Sequence, residues 1–142
     1  APYHAALEME LARVRAIHGF AILYDCHSIR GHIPFLFDGI LPDFNIVTNE
    51  GTTCAPTIES AVREICATAQ SYTSLLNGRF KGGWTTRHYG RPDEGQHAIQ
   101  MELAQSTYMV ESPPWDYAPD KADELRNHLK FILITLSNWR PS

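Results

Sequence analysis

The chain predicts an α/β domain built on a largely parallel sheet, and three observations carry that reading. Leu7, Leu11 and Val14 recur at helical spacing within Tyr3–His18, with Ile17 near the end. Gly19 follows as a natural helix stop. A short apolar run, Phe20–Tyr24 (FAILY), comes next, has the length of a buried strand and ends at Asp25. A helix, a glycine and a buried strand in that order are the mark of an α/β unit, whose parallel strands are covered on both faces.

The later elements follow by the same reasoning. Ser28–Asp43 carries Gly31, Pro34, Gly39 and Pro42 and reads as a long structured loop. Phe44–Thr48 reads as a strand, and Asn49, Gly51, Cys54 and Pro56 as a second loop. Thr57–Gln70 reads as a helix with Ile58, Val62 and Ile65 on one face. Tyr72–Leu76 reads as a strand closed by Asn77-Gly78. Arg79–Gly95 is rich in glycine and charge. Ala98–Leu103 fits a strand or a helix equally by periodicity. Pro113 and Pro114 break the chain, and Asp120–Trp139 reads as a final amphipathic helix with Asp120 as N-cap. There is no internal repeat, low-complexity segment or linker, so 1–142 is expected to be one domain.

Composition narrows the function. A net charge of −4 argues against nucleic acid, because phosphate binding needs a basic surface. No apolar run approaches the roughly 18 residues that span a bilayer. The first residues include Glu8 and Glu10 rather than a basic start and an apolar stretch, so no signal peptide is expected. Cys26, Cys54 and Cys66 are odd in number and contain no CxxC pair, which suits a reducing cytoplasm.

Three places can carry chemistry. The first is Asp25-Cys26-His27-Ser28, at the carboxyl end of the first strand, the edge where open α/β sheets gather ligands. If the strand continues, Asp25 and His27 share one side. His27 can then bind a metal, with Asp25 orienting it; the plainer reading is a polar strand end. The second is Asn77–Arg91 (NGRFKGGWTTRHYGR), which holds Arg79, Lys81, Arg87, His88 and Arg91 and no acidic residue. Guanidinium forks suit carboxylates, and Gly82-Gly83 lets backbone approach a ligand closely; the alternative is a solvated basic hairpin. The third is Gln100-Met101-Glu102-Leu103, for its carboxylate. On a strand, Ile99, Met101 and Leu103 share one face, and Ala98, Gln100, Glu102 and Ala104 the other. Glu102 is then a carboxylate on an apolar element, suited to act as a general base beside a metal-activated water. On a helix it is simply exposed.

The remaining candidates have plainer readings. A cysteine nucleophile at Cys26 or Cys54 needs a nearby histidine and a lowered pKa. Cys66 falls on an apolar helix face and reads as core. His4, His18, His32 and His128 read as surface or capping residues, and His97 as structural.

The runs DCHS, LFDGILPDFNIVTNEGTTC, NGRFKGGWTTRHYG and HAIQMELAQSTYM occur in an order that resembles the carboxyl-terminal half of N-formylglutamate amidohydrolases, from Tyr3 to about Met109. That family is similar in fold to zinc carboxypeptidases and the aspartoacylase group. The resemblance implies a three-layer α/β/α domain with a mixed, largely parallel sheet, incomplete here at its amino end. It implies one Zn2+, or another divalent ion, with His27 as its last protein ligand, Asp25 and Ser28 behind it, and Glu102 as general base. It implies that Arg79 and Arg87, with Asn77 and His88 close by, recognise a small acidic N-acyl amino acid. One of these arginines, Arg79 or Arg87, polarises its carbonyl. The reaction implied is N-formyl-L-glutamate plus water giving formate and L-glutamate, in histidine degradation. A related enzyme for another N-acyl amino acid or peptide-like amide, or a non-catalytic domain that binds acidic amino acids, are the alternatives. The family's other zinc ligands come from its amino-terminal half, in a Pro-His-Ser-Gly region and a later acidic residue. This chain has neither, since His32 is followed by Ile33-Pro34. One histidine cannot hold a catalytic zinc, so this polypeptide alone is expected to be inactive.

Overall fold

The computed structural model describes residues 1–142. Helix α1 (Pro2–His18) opens on a proline, which its fixed φ suits to a first helical turn. It stops at Gly19, whose φ of 81° is left-handed and whose amide closes on Arg15 O at 2.8 Å. Strand β1 (Ala21–Ile29) follows. It does not end at Asp25 as its apolar run suggests, but continues through Asp25, Cys26, His27 and Ser28. The reason is backbone pairing: β1 runs parallel to β4 (Gln96–Ala104) in unbroken register, from Ala21 opposite Gln96 to Ile29 opposite Ala104. A continuous ladder holds polar residues in extended form whatever their own preference.

Strand β2 (Phe44–Val47) lies antiparallel on the other side of β4, and β3 (Ser74–Leu76) pairs parallel with β2. The order β1-β4-β2-β3 makes a mixed sheet in which two of three pairings are parallel. Helix α2 (Pro56–Thr68) is the crossover that the parallel β2–β3 pair requires. Helix α4 (Pro119–Asn138) begins earlier than expected. Ala118 is its N-cap, Pro119 takes the first helical position, and Asp120 lies in the first turn, where its charge faces the positive helix end. No helix is long and apolar enough to cross a membrane.

Helices cover both faces of the sheet. On one, Phe44, Ile46, Ile99 and Met101 meet Ile58, Val62 and Ile65 of α2 and Leu125, Ile132 and Leu136 of α4. Cys54 and Cys66 are buried in the same core. On the other, Ala21 and Leu23 of β1 pack with Leu7, Leu11 and Val14 of α1 and with Tyr89. The loop after β1 adds Ile33, Phe37 and Leu41, which close over Ala104 at the end of β4 with Phe80. Each fully buried side chain of this size contributes roughly 1.5–3 kcal/mol. Ala98–Leu103 is therefore strand, with Ile99 and Met101 in the main core and Gln100, Glu102 and Ala104 on the opposite face.

The basic segment is not a hairpin. It forms the short helix α3 (Trp84–Tyr89) and a 3-10 turn at Pro92–Glu94. Periodicity missed α3 because a helix of six residues presents less than two turns of pattern.

Candidate active site

Alternation along β1 and β4 places four polar residues on the sheet face that carries α1 and α3. Asp25 and His27 follow Ala21 and Leu23 on β1; Gln100 and Glu102 precede Ala104 on β4. Register makes them a square: Asp25 is opposite Gln100, and His27 opposite Glu102. His27 Nε2 lies 3.1 Å from Asp25 Oδ2, and its Nδ1 4.0 Å from Glu102 Oε2. The imidazole thus sits between two carboxylates, with about half its side chain exposed.

Glu102 is 7% exposed. Its Oε2 accepts a hydrogen bond from Gln100 Nε2 at 3.3 Å, and its Oε1 has no partner within the chain. Burial pushes the Glu102 carboxyl above the ordinary carboxylate range; the His27 charge and the Gln100 hydrogen bond pull it down, and Asp25 pushes it up. A carboxylate held partly out of water with one oxygen unbonded is equipped to take a proton. The exposed helical alternative for Glu102 is ruled out.

Asp25 gives the test of a metal. Its Oδ2 is buried and, despite its nearness to His27, receives no hydrogen bond. Such an orphaned carboxylate oxygen is costly unless a positive charge lies close by. A metal-binding histidine usually donates its other ring N–H to a carboxylate, a bond that Asp25 Oδ2 is near enough to accept but does not make here. The fit is partial, however: no three His, Cys, Asp or Glu side chains converge as a metal-binding group. This chain offers one imidazole and its supporting carboxylate, not a complete ligand set.

The basic segment reaches the same face from two sides. Gly83 N–H and Thr86 Oγ1 both donate to Gln100 Oε1, at 3.1 and 3.0 Å, which fixes the start of α3 on β4 beside Glu102. Arg87 and His88 are exposed on α3, and His88 stacks on Trp84 with ring centroids 4.2 Å apart. The Arg79 guanidinium lies over the Phe37 ring, 5.4 Å from its centroid, in the cluster that closes on Ala104. On β4, Glu102 lies between Gln100, where α3 is anchored, and Ala104, where the Phe37 cluster closes.

Asn77 and the paired glycines also make contacts within the chain. Asn77 Oδ1 accepts from Thr48 N at 2.9 Å and its Nδ2 donates to Thr48 Oγ1 at 2.8 Å. Gly82, at φ 154°, lets the loop pass Asn49 and Arg87, where an added Cβ would come within 3.3 and 3.4 Å. Ser28 Oγ bonds Tyr108 OH at 2.8 Å, on the far side of the strand from His27. His97 is buried, accepts Ala55 N–H on Nδ1 at 3.1 Å and packs against Trp139, as a structural residue does.

A sequence model of the N-formylglutamate amidohydrolase family matches residues 1–109. The chain belongs to this family. It is 50% identical over 138 residues to N-formylglutamate deformylase of Pseudomonas aeruginosa, covering 97% of this chain and 52% of the relative. The deformylase of Pseudomonas putida is 51% identical over the same length and shares. A crystal structure of N-formylglutamate amidohydrolase from Ralstonia eutropha superposes with a TM-score of 0.82 at 26% identity, over 94% of this chain and 49% of that one. The chain spans about half the length of the curated relatives it matches. The sequence gives Gln100 no role of its own beyond its place two residues before Glu102 on the same strand face.

Proposed function

We propose that the whole protein hydrolyses the amide of an N-acyl acidic amino acid, N-formyl-L-glutamate giving formate and L-glutamate, and that this chain carries the general base. The observation behind the reading is Glu102: buried, raised in pKa by that burial, with its Oε2 4.0 Å from His27 Nδ1 and its Oε1 without a partner in the chain. Names of the relatives supply the substrate, and the basic segment suits its carboxylates.

In this reading Glu102 takes a proton from the attacking water and delivers it to the departing amine, so its proton count is restored each turnover. Arg79 and Arg87 hold the substrate carboxylates, and Arg79 also stabilises charge on the carbonyl oxygen. His27 is one ligand of a divalent metal, zinc in the first instance, with Asp25 orienting the ring; the remaining ligands lie outside this chain. That metal, when bound, supplies Lewis-acid activation. The reading extends to a three-layer, carboxypeptidase-like fold of the whole catalytic domain, supported by helices on both faces of the mixed sheet. It also extends to the cytoplasm and histidine degradation, the former supported by three free thiols.

Metal content and turnover test it together in the whole protein. His27→Ala is expected to lose bound metal, whereas Glu102→Gln is expected to keep metal and lose about two or more decades of turnover. Full metal occupancy in His27→Ala would remove His27 from the ligand set.

A further inference from the structure

We propose that Gln100 is a positioning residue that fixes the orientation of Glu102 and couples it to helix α3. The inference rests on the reading of Glu102 as general base.

Gln100 is 5% exposed, so each of its amide groups needs a partner. Two donors meet at its Oε1: Gly83 N–H at 3.1 Å and the Thr86 hydroxyl at 3.0 Å. Gly83 N–H cannot accept, so a flipped amide would set its NH2 against a donor and its oxygen against the Glu102 carboxylate. The amide therefore has one orientation, with Nε2 aimed at Glu102 Oε2, 3.3 Å away. Thr86 is itself fully buried, so this anchor has no freedom to turn outward. A side chain at Gly83 would sit 3.4 Å from Oε1, so the contact is already close.

Two consequences follow for the reaction. Oε2, the oxygen 4.0 Å from His27 Nδ1, is held by that donor, which fixes the carboxylate's orientation towards the imidazole. The residues that fix Gln100 are Gly83 and Thr86, and Arg87 follows directly on the same short helix. A substrate carboxylate held by Arg87 is thus registered to the base through one buried amide rather than through a flexible loop.

The test is a double-mutant cycle in the whole protein, with N-formyl-L-glutamate as substrate and circular dichroism melting as the control for folding. Gln100→Glu keeps an acceptor for Gly83 and Thr86 and removes the donor to Glu102; Gln100→Met removes both. If Gln100→Met does not fold, Thr86→Val weakens the anchor alone and takes its place. Each is expected to lower kcat, by about 10- to 100-fold for the Gln100 variants, with KM changed by less than about 3-fold. In a Glu102→Gln background the same changes are expected to lower the residual rate by less than about 2-fold, because the residue acts through the base. Unchanged kcat in folded Gln100 variants, or equal losses in both backgrounds, would overturn the positioning role while leaving the base in place. Normal turnover by Glu102→Gln would overturn the base reading, and the positioning role with it.

Discussion

Asn77 separates a substrate contact from a structural one, and its replacement has a calculable effect. Thr48 is fully buried, and its N–H has Asn77 Oδ1 as its hydrogen-bond partner. In Asn77→Ala that donor is left without one, at a cost of about 1–3 kcal/mol. Asn77 also sits at φ 49°, a left-handed conformation that costs an alanine roughly 1–2 kcal/mol. Thr48 Oγ1 loses less, because Gly51 N and Glu59 remain on it. The total is about 2–5 kcal/mol, on the order of 10 °C in Tm for a chain of the relatives' size. Asn77→Gly removes the left-handed strain but not the lost hydrogen bonds, so it is expected to recover part of the loss. Thermal melts of the three proteins, with kinetics beside them, make the comparison. A wild-type Tm in Asn77→Ala with only KM raised would refute the structural role and leave Asn77 as a substrate contact alone.

Three further outcomes are expected. Burial holds the His97 imidazole neutral and lowers its pKa from 6.5, so the unfolded chain binds a proton first as pH falls. The stability present above pH 6.5 is therefore lost on going down towards the folded pKa, and a pH series of urea melts should show that loss reduced in His97→Asn. Burial pushes the Cys54 and Cys66 thiols up to about 12, and burial followed by Asp25 raises the exposed Cys26. Iodoacetamide at neutral pH should thus label Cys26 slowly, spare the other two, and leave turnover intact; inactivation in step with labelling would point to a thiol nucleophile instead. Gly90→Ala would drive a methyl into the Thr53 backbone, 2.7 Å from its carbonyl oxygen, and is expected to cost about 1–3 kcal/mol, measured as a lower Tm.

The helices and the apolar half of the sheet were legible because their signal is local. Leu7, Leu11 and Val14, or Ile58, Val62 and Ile65, repeat at the helical period, and Gly19 marks a stop that the backbone obeys. The length of β1 was not legible, since Asp25–Ser28 is held extended by pairing with β4, far along the chain. The strand at Ala98–Leu103 was ambiguous for the same reason, and only the sheet decides which face Glu102 takes. Asp25, His27 and Glu102 were named from the sequence, and β1–β4 register brings them together. The basic segment was seen as a charge reversal, but its helix was too short to show a period. The bond between Asn77 and Thr48 was not legible because it spans two elements. Gln100 was passed over because a neutral amide on a strand carries no signal until its partners are known.

The most direct measurement is hydrolysis of N-formyl-L-glutamate by the whole protein, with and without chelator, alongside N-formyl-L-aspartate and this 142-residue chain by itself. Chelator-sensitive turnover that favours the glutamate compound is expected, and none from the chain alone. No turnover by the metal-loaded whole protein, or equal turnover by the isolated chain, would contradict it.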